Sequence, residues 1–196
     1  PAPGYLQGIR KICNERGLLM IVDEVQTGIG RTGTLFACEQ EEVVPDMITL
    51  AKALGNGFPI GALLAAKEIA AAFVPGSHGS TFGGNPLATA AGIAVLETIL
   101  DEEILNNCSR VGKYLLGRLA ELKENNDRIR EVRGRGLLVA VELTLPGADF
   151  VLKCLKRGLL INCTGGNVLR FVPPLILTNT DVDKAVGILS EVLEER

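Results

Sequence analysis

Several residue types are scarce in this sequence, and each scarcity excludes a class of function. The 196-residue chain contains one histidine, His78, no tryptophan and only 4% aromatic residues. A single histidine excludes metal sites built from several histidines, and it would have to serve alone in any pair of histidine with a nucleophilic serine or cysteine. An isolated histidine is more often structural, and we expect no catalytic role for His78.

Positive charge is not in surplus either. The chain has 20 lysines and arginines against 23 aspartates and glutamates, which gives a formal net charge of −3. A protein that binds nucleic acid needs basic residues to neutralise the phosphate backbone. We therefore expect small-molecule ligands and no nucleic-acid partner.

The cysteines and the apolar runs indicate the cellular compartment in which we expect the protein. Five cysteines with no CxxC spacing predict reduced, packed thiols in a cytosolic chain, and neither a disulfide framework nor a zinc site. No apolar run reaches the roughly 18 residues needed to span a bilayer, and no charged region followed by an apolar run opens the sequence. We expect a soluble, cytoplasmic protein with no membrane partner and no bound metal.

The residues that are present describe an ordinary globular chain. Apolar residues make up 47% and charged residues 22%, and the length suffices for one domain or slightly more. The first residue is Pro1, and the segment 1–5 leads straight into a helical pattern. We expect the chain to belong to a longer protein.

The first hundred residues alternate between helical and strand patterns. Apolar side chains at helical spacing up to Gly17 predict a short helix. Continuous apolar runs at 18–22, 47–51 and 60–66 predict strands buried on both faces of a mostly parallel sheet. Asn85, followed by Pro86, predicts the start of a helix that runs towards residue 100.

The pattern after residue 100 is different and predicts a smaller α+β domain over 101–196. A long amphipathic helix is followed by a hairpin over 129–143 and a helix near 149–157. Further strands are predicted at 159–163 and 168–172, before a final helix that begins after Thr180 or Asp181. The whole chain is predicted to be α/β, with residues 1–100 as one domain.

Two nucleotide-binding interpretations of residues 18–33 each lack a required part. An apolar strand that ends in acids is typical of P-loop ATPases, but the chain has no GxxxxGK[ST] motif. The stretch 28–33 satisfies GxGxxG, with Asp46 at a tolerable distance for a ribose ligand. Its glycines do not follow directly on the strand, and Pro45 leaves little room for the required helix.

A third interpretation takes Asp23 and Lys52 together, because each closes an apolar run that resembles a parallel strand. The carboxyl ends of such strands form one crevice, so the acid and the amine are expected to face the same crevice. Lys52 then forms an imine with an aldehyde cofactor, pyridoxal phosphate, while Asp23 holds its ring nitrogen. A plain ion pair at the sheet edge explains the spacing equally well. The loop 79–84 offers hydroxyl and N–H groups for a cofactor phosphate.

Four long stretches resemble successive blocks of the class III, fold-type I pyridoxal-phosphate aminotransferases. They read LLMIVDEVQTGIGRTG, DMITLAKALGNGFPIGALL, HGSTFGGNPLATAAG and INCTGGNVLRFVPPL. The resemblance covers nearly the whole chain and is greatest to members of the acetylornithine type. It implies the end of the large, mostly parallel cofactor domain over 1–100, followed by the small C-terminal domain over 101–196.

The resemblance implies roles for five residues around the cofactor ring. Lys52 forms the internal aldimine and later moves the proton between the substrate Cα and C4′ of the cofactor. Asp23 pairs with the pyridinium nitrogen, and Gln26 bonds the ring hydroxyl side. Glu24 and Val25 lie in the same cofactor-facing segment.

Three further roles follow from the same resemblance. Thr81 binds the cofactor phosphate and Ser80 lies beside the substrate, in a loop that this family donates across a homodimer interface. Arg170 grips a substrate carboxylate. Family members are about twice as long as this chain, and their upstream half carries a second phosphate loop, a stacking aromatic residue and another substrate arginine.

The resemblance implies transamination between N2-acetylornithine and 2-oxoglutarate in arginine biosynthesis. Ornithine, succinylornithine and 4-aminobutyrate are the alternative amino donors. A second hypothesis, of a different class, is that the 196-residue chain is a folded but inactive fragment or a dimerisation module.

Overall fold

A computed structural model describes residues 1–195, which divide into two compact units at Glu103 and Ile104. The expected domain boundary, between residues 100 and 101, lies three residues before this division. The identity of the two units as parts of a large and a small domain remains a prediction. None of the helices described is both long and apolar enough to cross a membrane.

The first unit contains a small mixed sheet with helices before and after it. Its elements are α1 (Tyr5–Arg16), β1 (Ile21–Asp23), β2 (Met47–Leu50), β3 (Ala62–Ala65), α2 (Lys67–Ala70) and α3 (Pro86–Asp101), with short 3₁₀ helices at Ala37–Glu41 and Lys52–Leu54. The strands lie in the order β1-β2-β3. β1 pairs with β2 in parallel, whereas β2 and β3 are antiparallel.

The third strand was predicted without a direction, and it pairs antiparallel with β2. One expectation about this sheet is wrong for the described chain. The apolar runs were expected to be buried on both faces, yet Leu19 and Ile21 are each 58% exposed and Leu64 is 42% exposed. A continuous apolar run indicates a strand that some layer covers, and the described residues do not supply that layer.

One carboxylate fixes α1 to the start of the sheet. Asp46 Oδ2 accepts hydrogen bonds from the main-chain N–H of Met20 at 2.6 Å and from Arg10 Nη1 at 2.7 Å. These two donors, the Met20 N–H first, hold the pKa of Asp46 below its ordinary value. α1 ends at Gly17, as predicted, because this glycine adopts the left-handed conformation at φ 64°.

The second unit packs helices on one face of an antiparallel sheet. Its elements are α4 (Ile104–Glu124), β4 (Ile129–Arg135), β5 (Leu138–Leu143), α5 (Ala148–Lys156), β6 (Asn162–Thr164), β7 (Val168–Phe171) and α6 (Asn179–Glu194). The strand order is β4-β5-β7-β6. This arrangement confirms the predicted hairpin, the helices and the strand at 168–172, whereas β6 begins three residues later than the strand predicted at 159–163. The unit has an α+β architecture.

The core of the second unit follows from the alternation of side chains along its strands. Val139, Val141 and Leu169 point to the same face and are at most 1% exposed. The helices cover that face with apolar residues at helical spacing, such as Leu115 and Leu119 of α4. α6 begins slightly before the predicted position because Thr178 and Asp181 form a reciprocal cap at its start.

A glycine sets the distance between α4 and the hairpin turn. A Cβ atom at Gly112 would lie 2.2 Å from the carbonyl oxygen of Gly136, so only glycine fits at this position. Gly117 lies in the same helix, and a Cβ atom there would meet nothing within 4 Å.

These two glycines give a matched pair of alanine substitutions. We expect Gly112→Ala to destabilise the protein by about 1–3 kcal/mol, because the added methyl group must displace main-chain atoms. Gly117→Ala should stabilise it by roughly 0.5–1 kcal/mol, since alanine favours a helix. Urea unfolding followed by circular dichroism measures both, and equal effects of the two substitutions would contradict the packing described.

The lowered pKa of Asp46 gives a prediction for acid stability. The folded state favours the ionised carboxylate, so its contribution is fully present above the ordinary pKa of 3.8 and is lost as the pH falls through the lower folded value. Asp46→Asn should therefore reduce the melting temperature at pH 7 and flatten its decline below pH 4. Asp101→Asn, at an exposed aspartate, is the control and should change neither property.

Candidate active site

The candidate site lies where the two parallel strands end. Asp23 is the last residue of β1, and Lys52 follows the end of β2 after a single intervening residue. Because β1 and β2 are parallel, both of these ends lie at the same edge of the sheet. The structure thus brings the predicted acid and the predicted amine to one edge.

The two oxygens of the Asp23 carboxylate differ, because one accepts hydrogen bonds from the described residues and the other does not. Its Oδ1 accepts hydrogen bonds from the main-chain N–H of Val25 at 2.9 Å and from the Thr49 hydroxyl at 3.2 Å. No described residue donates a hydrogen bond to Oδ2. Asp23 is exposed, so this second oxygen is available to a ligand.

Lys52 has an unusual main-chain conformation and no partner among the described residues. Its φ of 47° lies in the left-handed region, which residues other than glycine rarely adopt and which is often found at functional sites. The side chain is exposed and lines an open cavity of about 390 Å³ together with residues 57–60. Neither Asp23 nor any other described carboxylate forms an ion pair with it, so the ion-pair explanation of the spacing is not what the structure shows.

Glu24 is adjacent to Asp23 in sequence but has opposite surroundings. It is only 1% exposed, and its carboxylate accepts hydrogen bonds from the Cys38 N–H at 2.8 Å and from the Thr27 hydroxyl. Burial, and then the nearby charge of Glu24, raise the pKa of the Cys38 thiol to about 11. The Glu24 side chain is therefore enclosed in its own loop, where it anchors residues 24–38.

The next two residues of this segment are half-buried. Val25 donates its N–H to Asp23, as described above, and the Gln26 side chain forms no hydrogen bond with a described residue. The amide of Gln26 is therefore available to a ligand, whereas the carboxylate of Glu24 is already engaged.

The glycine-rich stretch 28–33 is a packed loop, and its interpretation as a dinucleotide fingerprint is wrong. Gly28, Ile29 and Gly30 are buried, and a Cβ atom at Gly28 would lie 2.8 Å from the carbonyl oxygen of Glu24. A short 3₁₀ helix at Ala37–Glu41 follows, where a fingerprint requires an α-helix. These glycines allow the loop to fold closely over Glu24.

The predicted phosphate loop precedes α3. Asn85 caps that helix by accepting a hydrogen bond from the Ala88 N–H at 2.9 Å, as predicted. Ser80 and Thr81 are exposed, and the Thr81 side chain has no partner among the described residues. No hydrogen bond joins this loop to Asp23 or Lys52 in residues 1–195, so the structure places it in the same unit without connecting it to them.

Arg170 belongs to the second unit and lies on the solvent face of its sheet. It stands on β7 between Ala140 of β5 and Asn162 of β6. Its Nε donates a hydrogen bond to Asn162 Oδ1 at 3.1 Å, and its terminal nitrogens have no described partner. Both residues line a mostly apolar cavity of about 600 Å³. A guanidinium group that is held through Nε presents two parallel N–H donors to a carboxylate.

Two of these contacts were not anticipated from the sequence. Thr49 and Asn162 lie in two of the stretches that resemble the family, but the resemblance assigns a role to neither of them. Each contacts a predicted site residue. Strand register is the signal that identifies them, since Thr49 pairs with Asp23 and Asn162 pairs with Arg170.

Comparison with known proteins identifies the same family across both units. A sequence profile described as aminotransferase class-III matches residues 1–193. The acetylornithine aminotransferase of Caldanaerobacter subterraneus subsp. tengcongensis is 55% identical over 194 residues, which are 98% of this chain and 49% of that protein. The chain thus spans about half the length of the relatives it matches.

Solved structures of two named enzymes share the fold. Acetylornithine aminotransferase from Elizabethkingia anophelis superposes with a TM-score of 0.93 at 39% identity, covering 98% of this chain and 52% of that one. Ornithine delta-aminotransferase from Plasmodium falciparum superposes with a TM-score of 0.94 at 36% identity, covering 99% and 50%. The fold is therefore shared by enzymes that are named for different amino donors.

Proposed function

The chain belongs to the class III aminotransferases, and we propose that it acts in transferring an amino group from N2-acetylornithine to 2-oxoglutarate, a reaction of arginine biosynthesis. Enzymes of this class depend on pyridoxal phosphate and have the fold-type I architecture. The observation that supports the proposal most is the open edge of the first sheet, where Asp23 has a free oxygen and Lys52 has no partner.

The residues at this edge fit the cofactor. When bound, pyridoxal phosphate supplies an electron sink that stabilises negative charge at the substrate Cα. The free Oδ2 of Asp23 suits a protonated ring nitrogen, because an ionised acceptor makes the stronger hydrogen bond. The unpaired amine of Lys52 suits the aldehyde carbon.

The proposed mechanism assigns three tasks to this chain's own residues. Asp23 keeps the proton on the ring nitrogen. Lys52 would act as the general base that removes the proton from the substrate Cα and would hold that proton on its amine. Arg170 orients the substrate by binding a carboxylate.

The remaining predicted contacts are proposed to hold the cofactor in place. Gln26 has an unengaged amide for the ring hydroxyl side, and Val25 lies between it and Asp23. Glu24 contributes by fixing the loop, since its own carboxylate is enclosed. Thr81 has a free hydroxyl for the phosphate, and Ser80 is proposed to lie beside the substrate.

We also propose that the protein is a cytoplasmic homodimer whose sites are shared. Two observations support the dimer: the exposed apolar side chains of Leu19 and Ile21, and the absence of any hydrogen bond, among the described residues, from the loop with Ser80 and Thr81 to Asp23 or Lys52. Apolar patches of this kind are typical of surfaces that another protein surface covers.

The amino donor is tested by a comparison of substrates. With pyridoxal phosphate added to the purified protein, we expect the highest kcat/KM for N2-acetylornithine, because the relative at 55% identity carries that name. Ornithine, succinylornithine and 4-aminobutyrate are the competing donors. A preference for one of these donors would show that the protein has a different substrate specificity. The absence of turnover with any donor would favour the hypothesis that the chain is an inactive module.

Lys52 is tested by substitution with alanine. We expect Lys52→Ala to lower kcat by at least about 10²–10⁴-fold, which is the usual contribution of a general base, and to remove the near-visible absorbance of the bound cofactor. Lysine and alanine are both disfavoured at the positive φ of this position, so the substitution should change the stability of the fold little. Lys67→Ala, at an exposed lysine of the same unit, is the control and should retain both properties. Unchanged turnover in Lys52→Ala would contradict the assignment.

A further inference from the structure

The contact between Thr49 and Asp23 has a consequence for the cofactor site. We propose that Thr49 is a positioning residue, which orients the Asp23 carboxylate so that Oδ2 faces the ring nitrogen of the cofactor. The inference rests on the proposed function, because it takes Asp23 as the partner of that nitrogen.

The register of the sheet places the two side chains together. Asp23 and Thr49 are direct partners across the parallel pair β1 and β2, so their side chains leave the same face of the sheet. The Thr49 hydroxyl lies 3.2 Å from Asp23 Oδ1. This proximity is therefore set by main-chain pairing and does not depend on a flexible loop.

Two donors on the same oxygen fix the plane of the carboxylate. The Val25 N–H and the Thr49 hydroxyl both donate to Oδ1, at 2.9 Å and 3.2 Å. Rotation of the carboxylate would break both hydrogen bonds, so Oδ2 remains directed away from the two donors. Without the hydroxyl, a single main-chain N–H would hold the group.

The chemical type of the partner matters as well. The Thr49 hydroxyl donates a hydrogen bond to Asp23 but carries no charge of its own. It therefore forms no ion pair that would compete with a protonated ring nitrogen for the Asp23 carboxylate. A lysine or an arginine at position 49 would instead neutralise the charge and compete for it.

The hydroxyl can be removed without disturbing the strands. Thr49 holds its position through the main chain, where its carbonyl oxygen accepts a hydrogen bond from the Glu24 N–H at 3.0 Å. Valine has nearly the same shape as threonine and also favours strands. Thr49→Val thus deletes one hydrogen bond and little else, while Thr49→Ser retains the donor.

A double-mutant cycle tests whether Thr49 acts through Asp23. The dissociation constant of pyridoxal phosphate is measured by equilibrium dialysis for the wild type, Thr49→Val, Thr49→Ser, Asp23→Asn and Thr49→Val/Asp23→Asn. We expect Thr49→Val to weaken binding about three- to tenfold, as for the loss of one hydrogen bond, and Thr49→Ser to restore it to within about twofold. In the Asp23→Asn background, Thr49→Val should have no further effect. Equal melting temperatures confirm that every variant is folded.

The cycle separates the failure of this inference from the failure of the proposed function. If Asp23→Asn weakens binding but Thr49→Val does not, or if the two effects simply add, Thr49 does not position Asp23 and the inference is overturned alone. If Asp23→Asn binds the cofactor as the wild type does, the proposed role of Asp23 fails, and the inference fails with it.

Discussion

The parallel pairing of β1 with β2 is the constraint on which the candidate site depends. It brings the carboxyl ends of both strands to one edge, and it sets Asp23 directly beside Thr49. A shift of one residue in this register would turn Thr49 to the other face of the sheet and leave Asp23 with a single donor. The buried carboxylate of Glu24 reinforces the arrangement, because it ties the loop that follows β1 to Cys38.

Three carboxylates in this unit have different roles because their surroundings differ. Glu24 is enclosed and has both oxygens engaged, whereas Asp23, one residue earlier, keeps one oxygen free at an exposed edge. Asp46 is held by Met20 and Arg10 and secures the first helix. Glu24 and Asp46 are thus held by hydrogen bonds within the unit, whereas Asp23 has an oxygen that is available to a ligand.

Much of this was predictable from the sequence, and the parts that failed have physical reasons. The helix caps at Gly17 and Asn85 were found because capping depends on local residue types. Apolar runs located the strands, but composition does not encode strand direction, so the antiparallel pairing of β3 was not predicted. The glycines of 28–33 matched a nucleotide motif although they serve close packing, since both uses demand the same small residue.

The contacts of Thr49 and Asn162 depend on which residues face each other across strands, and this register is not visible in a linear pattern. Chemical trapping shows whether Lys52 is the amine that bonds to the cofactor. Borohydride reduction of the protein in complex with pyridoxal phosphate, followed by peptide mass spectrometry, shows which amine is bonded to the cofactor. We expect a single modified peptide, which carries the cofactor on Lys52. Modification of another lysine, or of none, would contradict this expectation.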